Sequence, residues 1–200
     1  MRHGQTLQLQ RCPHCNIANP TLQNVFNIDT QNDRGGDNRR WGSYKCATCG
    51  YVTLAVATYR NFEQRTINEI SEIWPTPQAV HDSVPGRAKS YLEQAIASIA
   101  APSGAVMLTA SAVDAMLKEK GLKEGSLYKR IEKAAAEHLI TAEMAEWAHE
   151  VRLDANDQRH DDEEGALPDE ADARKSIEFA MALAQFLFVL PARVARGRAQ

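Results

Sequence analysis

The sequence lacks the features that would place it in a membrane or outside the cell. It has no uninterrupted apolar run near the roughly eighteen residues that a membrane span needs. The opening MRHGQTLQLQRC has no apolar core of the kind found in secretory signals. Residues 176–190, SIEFAMALAQFLFVL, are apolar almost all round, but we expect them to be too short for a span, with Glu178 and Gln185 among them. We therefore expect a cytoplasmic protein with no membrane segment.

Acidic residues are scarce at the front of the chain. Residues 1–66 hold four Asp/Glu against eight Lys/Arg, whereas residues 67–200 hold twenty-two against fifteen. A basic front could meet a polyanion, while the acidic rear as a whole would repel one. The candidate nucleic-acid-binding residues combine cations for phosphate with one aromatic ring for stacking, although a merely solvated loop would look the same. They are Arg34, Arg39, Arg40 and Trp41.

Cysteine is absent after residue 49, and the four that exist form two Cys-x-x-Cys pairs. These are Cys12 with Cys15 and Cys46 with Cys49. Two such pairs suit the tetrahedral preference of Zn²⁺, so we predict a small β zinc ribbon with a closed, structural site. Two disulfides or a redox pair are the alternatives, and His14 could replace one thiolate. We expect the polar stretch NIDTQNDRGGDNRRWGS to be a loop between two strands.

Three prolines, at positions 75, 77 and 85, lie between two segments that differ in their pattern of apolar residues. They predict a linker over residues 67–83, after a zinc ribbon at 1–66 and before a helical domain at 84–200. Beyond Pro85 the apolar residues recur with a period near 3.6, which predicts a bundle of four to five helices. Gly121 is the expected end of the second helix, and Thr141 is the expected cap of the fourth.

The stretch VRLDANDQRHDDEE places three functional side chains at intervals of four. In a helix Arg152, Asn156 and His160 share one face, and they are our candidate catalytic residues. His160 could exchange protons near neutral pH, Arg152 could stabilise a phosphate, and Asn156 could orient either group. A structural reading pairs Arg152 with Asp114, caps the helix with Asn156 and bonds His160 to a carboxylate. The acidic residues 161–164 would repel RNA, or could form a metal site with His160.

Residues 84–191 resemble a bacterial family known as domain of unknown function 4145, which is grouped with the HEPN-like helical domains. The segments that carry the resemblance are VPGRAKSYLEQA, AVMLTASAVDAMLKEKG, GSLYKRIEKAAAEHLIT and HEVRLDANDQRH. The usual family motif is Arg-x-x-Gly-Asn followed by His. This chain keeps Arg152, Asn156 and His160, but has Ala155 in place of the glycine and Asp114 in place of a glutamate.

The resemblance implies a fold and a function. The expected fold is a small β zinc ribbon followed by an all-α HEPN-like helical bundle. Catalytic HEPN domains are dimers that cut RNA without a metal through an Arg-x(4–6)-His motif, whereas seven residues separate Arg152 from His160 here. We expect an RNA-binding protein with metal-independent endoribonuclease activity, in stress response or phage defence, that forms a homodimer through its apolar last helix. The alternative is a non-catalytic dimeric adaptor whose ribbon docks onto a protein or DNA.

Overall fold

The computed structural model describes residues 1–76, 78–160 and 167–198, and for residues 152–160 it describes the backbone alone. The chain forms two compact units, Met1–Gln78 and Ala79–Gln200. The strands are β1 (Thr6–Leu7), β2 (Leu22–Thr30), β3 (Arg39–Cys46), β4 (Val52–Asn61) and β5 (Thr66–Trp74). The helices are α1 (Gly86–Ala97), α2 (Pro102–Glu119), α3 (Leu127–Ala136), α4 (Ala142–His160), α5 (Glu170–Ala184) and α6 (Leu190–Arg198), with a π-helical turn, Gln185–Val189, between the last two.

The first unit is a single curled antiparallel sheet in which each strand pairs with the next along the chain. The N–H of Ile70 in β5 donates to the carbonyl of Met1 at 2.8 Å, so the start of the chain reaches the far edge of the sheet. The inner face holds a small core in which Leu7, Leu22 and Tyr44 are almost completely buried. Alternation along each strand sends every second side chain to this core.

The prediction of a small zinc ribbon is wrong, because the cysteines belong to this larger five-stranded sheet. The stretch expected to be a loop instead contributes residues 27–30 to β2 and residues 39–43 to β3. The solvent-facing positions of these two strands carry polar side chains, and this composition resembles that of a loop. Strand β5 likewise lies within the stretch assigned to a linker. The prolines at 75 and 77 follow this strand, and the two units divide between Gln78 and Ala79.

The second unit is all helical, as predicted, and α2 lies at its centre against α1, α3, α4 and α5. Its largest buried side chains, such as Met116 and Leu117, lie on α2, while Ile177 and Phe179 contribute from α5. The expected helix ends are also present. Helix α2 ends just before Gly121, whose φ of +93° is the left-handed conformation that glycine adopts readily.

The last helix is longer than the sequence suggested. Helices α5 and α6 continue through the π turn, and Glu170–Arg198 is long and apolar enough to cross a membrane by length and composition. Counting only residues 176–190 made it too short. Such a result is weak evidence of a membrane span, because core helices of soluble proteins also pass this test, and Ile177, Phe179 and Leu183 are buried in the helical core.

Candidate metal centre and exposed sheet surface

The four cysteines converge at one end of the sheet. Cys12 and Cys15 lie between β1 and β2, while Cys46 ends β3 and Cys49 follows it in the turn to β4. Their four Sγ atoms all lie within 4.8 Å of one another, and none forms a disulfide. Four sulfurs at such spacing can hold one metal ion.

Both Cys-x-x-Cys turns have the same backbone design. The N–H of Asn16 donates to the carbonyl of Cys12 at 3.0 Å, and the N–H of Gly50 donates to that of Cys46 at 2.9 Å. Asn16 and Gly50 have φ values of +58° and +76°, so each turn reverses in a left-handed conformation that asparagine and glycine tolerate best. This repeated turn directs two sulfurs from each side toward one point.

The thiols differ in how easily they ionise. Burial opposes ionisation of Cys46, but hydrogen bonds from the backbone N–H groups of Cys49 and Thr48, and from neighbouring thiols, lower its pKa to about 7. Burial, together with the hydrogen bonds that Cys49 gives to the other cysteines, raises the pKa of Cys49 to about 12. Burial also raises the pKa of Cys12. Cys46 is therefore easier to ionise than Cys12 or Cys49, and a bound cation would favour the thiolate form of these two as well.

His14 takes no part in the cysteine cluster. Its Nε2 lies 3.0 Å from the carbonyl oxygen of Val52, and its ring stacks on Tyr51 with 4.9 Å between centroids. The imidazole therefore contacts the chain that follows the second cysteine pair, at Tyr51 and Val52. The candidate ligands are the four cysteines.

The outer face of the sheet exposes apolar side chains in two cross-strand rows. Phe26, Leu54 and Trp74 belong to one row, and Ile28 and Trp41 belong to the next. Phe26 is 61% exposed, and Trp74, which is 38% exposed, stacks on Trp41 with 5.6 Å between ring centroids. We call these five residues the aromatic face. Large exposed patches of this kind usually mark binding surfaces.

The structure separates the four predicted nucleic-acid-binding residues. Strand alternation places Arg39 on the outer face with Trp41, where it pairs with Asp37 at 2.6 Å. Arg40 lies on the opposite, inner face, 3.8 Å from Asp29. Arg34 lies in the turn between β2 and β3, where its backbone N–H donates to a side chain. Only Arg39 and Trp41 thus share a surface.

The sequence analysis missed most of the aromatic face. Phe26 and Ile28 alternate in β2, which was assigned partly to a loop, and Trp74 was assigned to the linker. The β-branched and aromatic residues of VFNI, with Phe26 and Ile28 on either side of Asn27, were the signal that could have identified the strand. Lys45 was also missed, although it lies on the outer face, two residues along β3 from Ser43.

The candidate catalytic residues lie on α4, but their side chains fall outside the described part of the chain. The backbone of Arg152, Asn156 and His160 is helical, as the sequence predicted. Asp114, which the structural alternative offered as one possible partner of Arg152, pairs with Arg130 and with Lys118. The acidic residues 161–164 also lie outside the described residues.

One described residue extends the polar side of α4. His149 precedes Arg152 by three positions, and its Nε2 lies 2.7 Å from the Glu132 carboxylate on α3. Its ring stacks on Tyr128 with 4.5 Å between centroids. The Nδ1 atom is buried and has no hydrogen-bond partner among the described residues. His149 therefore links α4 to α3 through its contacts with Glu132 and Tyr128.

Comparison with known proteins gives one match. A family model described as "Domain of unknown function (DUF4145)" matches residues 93–199, which is just over half of the chain. A search of curated proteins found no match. A search of solved structures also found none.

Proposed function

The chain belongs to the DUF4145 family, and on that premise we propose that it is a cytoplasmic RNA-binding protein that holds single-stranded RNA on its aromatic face. The family description names no activity, so the proposal depends on the sheet. The observation that carries it is the row of exposed rings beside cations: Phe26, Trp74 and the partly buried Trp41 share a face with Arg39 and Lys45.

Single-stranded nucleic acid fits this surface because every base has a face that can stack on an aromatic ring. Trp41 is held in place by a 2.9 Å hydrogen bond from its Nε1 to the Thr30 hydroxyl and by the Trp74 ring. A ring that is already fixed loses little entropy when a base stacks on it. Lys45 and Arg39 lie at the margin of the face, where they would meet phosphates, while Glu72 is the acidic neighbour in the row of Trp41.

The metal in this proposal is Zn²⁺ with a structural role. Four thiolates form the donor set that Zn²⁺ prefers, and such a set leaves no position open for water or substrate. The cysteine cluster joins the turn before β2 to the turn after β3. Zinc would therefore fix the two strands that carry Phe26 and Trp41.

We extend the proposal to metal-independent endoribonuclease activity in the helical unit, which we take to be HEPN-like. Helix α4 spans Ala142–His160, and residues four apart in a helix share a face, so Arg152, Asn156 and His160 occupy positions on one side. An imidazole and a guanidinium on one face could move the ribose 2′-OH proton and stabilise the phosphate. Stress response or phage defence is the setting that the resemblance implies.

A second copy of the chain is the proposed partner of the last helix. Phe186, Leu190 and Val194 recur at intervals of four and are 40%, 43% and 59% exposed. An apolar stripe of this spacing suits helix pairing across a two-fold axis. Sedimentation analysis of the wild type and of Leu190→Lys tests this point: we expect a dimer and a monomer respectively, and a wild-type monomer at all concentrations would contradict it.

RNA binding is tested by fluorescence anisotropy with a labelled single-stranded RNA of mixed sequence. Phe26→Ser should weaken binding by about 1–3 kcal/mol, or about 5- to 150-fold, because one stacked base is lost. The matched control is Leu167→Ser, which removes a side chain that is 78% exposed in the other unit. Equal affinity in all three proteins would contradict the aromatic face as the RNA site.

The adaptor alternative has its own support, because Ile28 and Leu54 give part of this face an aliphatic character. If the wild type binds no RNA even at low salt, the face is better explained as a docking surface for a protein. Cleavage is tested separately with total RNA and no added divalent metal. Fragments that end in cyclic phosphate should appear with the wild type and disappear in Arg152→Ala and His160→Ala. Intact RNA with a wild type that binds it would leave a binding protein without nuclease activity.

A further inference from the structure

The inner face of the same sheet carries a second feature, a polar hollow of about 600 Å³. Its polar lining includes Gln5 from the segment before β1, Asn24 and Asn27 from β2, and Arg40 from β3. This volume lies within the range of small-ligand pockets in proteins. The aromatic face does not include any of these residues.

The floor of the hollow is a fixed network of polar groups. The amides of Asn24 and Asn27 bond each other reciprocally, at 2.7 and 3.0 Å. His3 Nδ1 lies 2.8 Å from the buried Tyr44 hydroxyl. A Cβ on Gly42 would meet His3, Tyr44 and Asn27 at 2.8–3.0 Å, so the groups pack as closely as the backbone allows. The hollow therefore presents amide groups in set positions.

The rim offers hydrogen-bonding groups that remain accessible. Gln5 and Asn27 are exposed, and Arg40 is partly exposed. The Arg40 guanidinium is 3.8 Å from Asp29, at the long end of an ion pair, so its donors are available to another acceptor. Amide and guanidinium side chains are the groups that pair with the edges of adenine and guanine.

The hollow and the aromatic face lie on opposite faces of the sheet, and both reach the same edge of β2. Strand β1 pairs with β2 only at Leu22 and Gln23. Beyond Asn24, the edge of β2 that faces away from β3 has no strand partner among the described residues. Phe26 and Asn27 are consecutive residues of this edge and point to opposite faces. A flexible strand that stacks on Phe26 can thus turn around β2 and place its next base in the hollow.

From this arrangement we infer that the hollow on the inner face reads the base edge of one nucleotide in the RNA strand held by the aromatic face. This inference depends on the proposed function, and it adds base selectivity to it. The aromatic face supplies stacking that tolerates any base, and the amides and Arg40 supply the discrimination. A purine fits best, because its N7 and the O6 or N6 beside it pair with a bidentate side chain, and pyrimidines lack this edge.

The test compares the affinities of the wild type for single-stranded oligo(A), oligo(G), oligo(C) and oligo(U). We expect a preference of about tenfold for one purine homopolymer, which is within the range that one bidentate contact supplies. The variant Gln5→Leu/Arg40→Gln should bind the four RNAs within about twofold of one another, while keeping the affinity of the wild type for its weaker ligands.

The control variant is Gln64→Leu/Arg65→Gln. Arg65 and Arg40 contact the same Asp29 carboxylate, at 3.9 and 3.8 Å, and Gln64 is exposed outside the hollow. The control should keep the purine preference. Equal binding of the four RNAs by the wild type, or loss of preference in the control as well, would overturn the inference. No RNA binding at all would instead refute the proposed function.

A competition experiment tests whether the hollow binds a nucleotide of the RNA strand or a free nucleotide. AMP, GMP, CMP and UMP are added to the complex of protein and labelled RNA. We expect competition only at concentrations far above the affinity for RNA. If one mononucleotide binds as tightly as the RNA, the hollow is a site for free nucleotides and the strand-reading role is wrong.

Discussion

Removing the proposed zinc ion should destabilise the first unit and leave the second intact. A cross-link acts by restricting the unfolded chain, and thirty residues lie between Cys15 and Cys46. A closed loop of about 30 residues corresponds to roughly 4 kcal/mol of stabilisation at 25 °C. A unit of this size rarely gains more than about 3–5 kcal/mol from its core alone. Without the metal, the free energy of unfolding should therefore fall by roughly 4 kcal/mol, to no more than the core alone supplies.

The assay is hydrogen exchange followed by mass spectrometry, with metal content measured on the same sample. Strands β2–β4 should lose protection in Cys46→Ser and in wild type treated with a strong chelator, whereas α2 and α5 should keep theirs. Two independent perturbations are needed because a serine hydroxyl at the buried position 46 has a desolvation cost of its own. His14→Ala should retain one metal ion per chain.

A specific result would refute this reasoning. If the chelated wild type contains no metal and β2–β4 remain as protected as before, the small core around Tyr44 and Leu22 is sufficient and the cysteines have another role. Loss of protection in both units would show that they unfold together.

Three further predictions concern single side chains. Burial, followed by the positive charge of Arg40, lowers the pKa of His3 below its ordinary 6.5, although a backbone hydrogen bond to Arg40 opposes this. The unfolded state therefore binds the proton more readily, so the first unit should lose stability as pH falls below about 6.5, and urea titrations of His3→Gln should show a weaker pH dependence. Asp114→Ala should destabilise the helical unit by about 2–3 kcal/mol in urea unfolding, because it leaves the largely buried Arg130 without its carboxylate. Gly42→Ala should lower the free energy of unfolding by about 1–3 kcal/mol, because the new Cβ would meet close neighbours. Gly104→Ala in α2 has open space around it, so it should raise the free energy of unfolding by up to about 1 kcal/mol and thereby raise the thermal midpoint.

The helical unit could be predicted because its signals are local. Gly121 ends α2, the Thr141 hydroxyl accepts a hydrogen bond from the N–H of Met144 at 3.2 Å, and Asp169 forms a capping box with Asp172 at the start of α5. Each of these contacts lies within a few residues of sequence. Periodicity supplied the rest of the helical pattern.

The sheet could not be predicted in the same way, because its strands pair over long distances and expose both polar and apolar residues. The spacing of the cysteines correctly indicated a metal-binding cluster, but a cluster of four thiols fits sheets of several sizes. The separation of Arg39 from Arg40 depends on strand alternation, which a stretch assigned to a loop does not reveal. The exposed rings of Phe26 and Trp74 become neighbours only through β3 and β4.

The π turn in the last helix fixes the rotational position of everything after it. The N–H of Leu190 donates to the carbonyl of Gln185, five residues back, so this turn holds one residue more than an α-helical turn would. If the same residues formed a regular α-helix instead, α6 would rotate by about 100° relative to α5. The stripe formed by Leu190 and Val194 would then point to a different side of the unit, although its composition would be unchanged. In this helix, therefore, the π turn decides which direction the stripe faces.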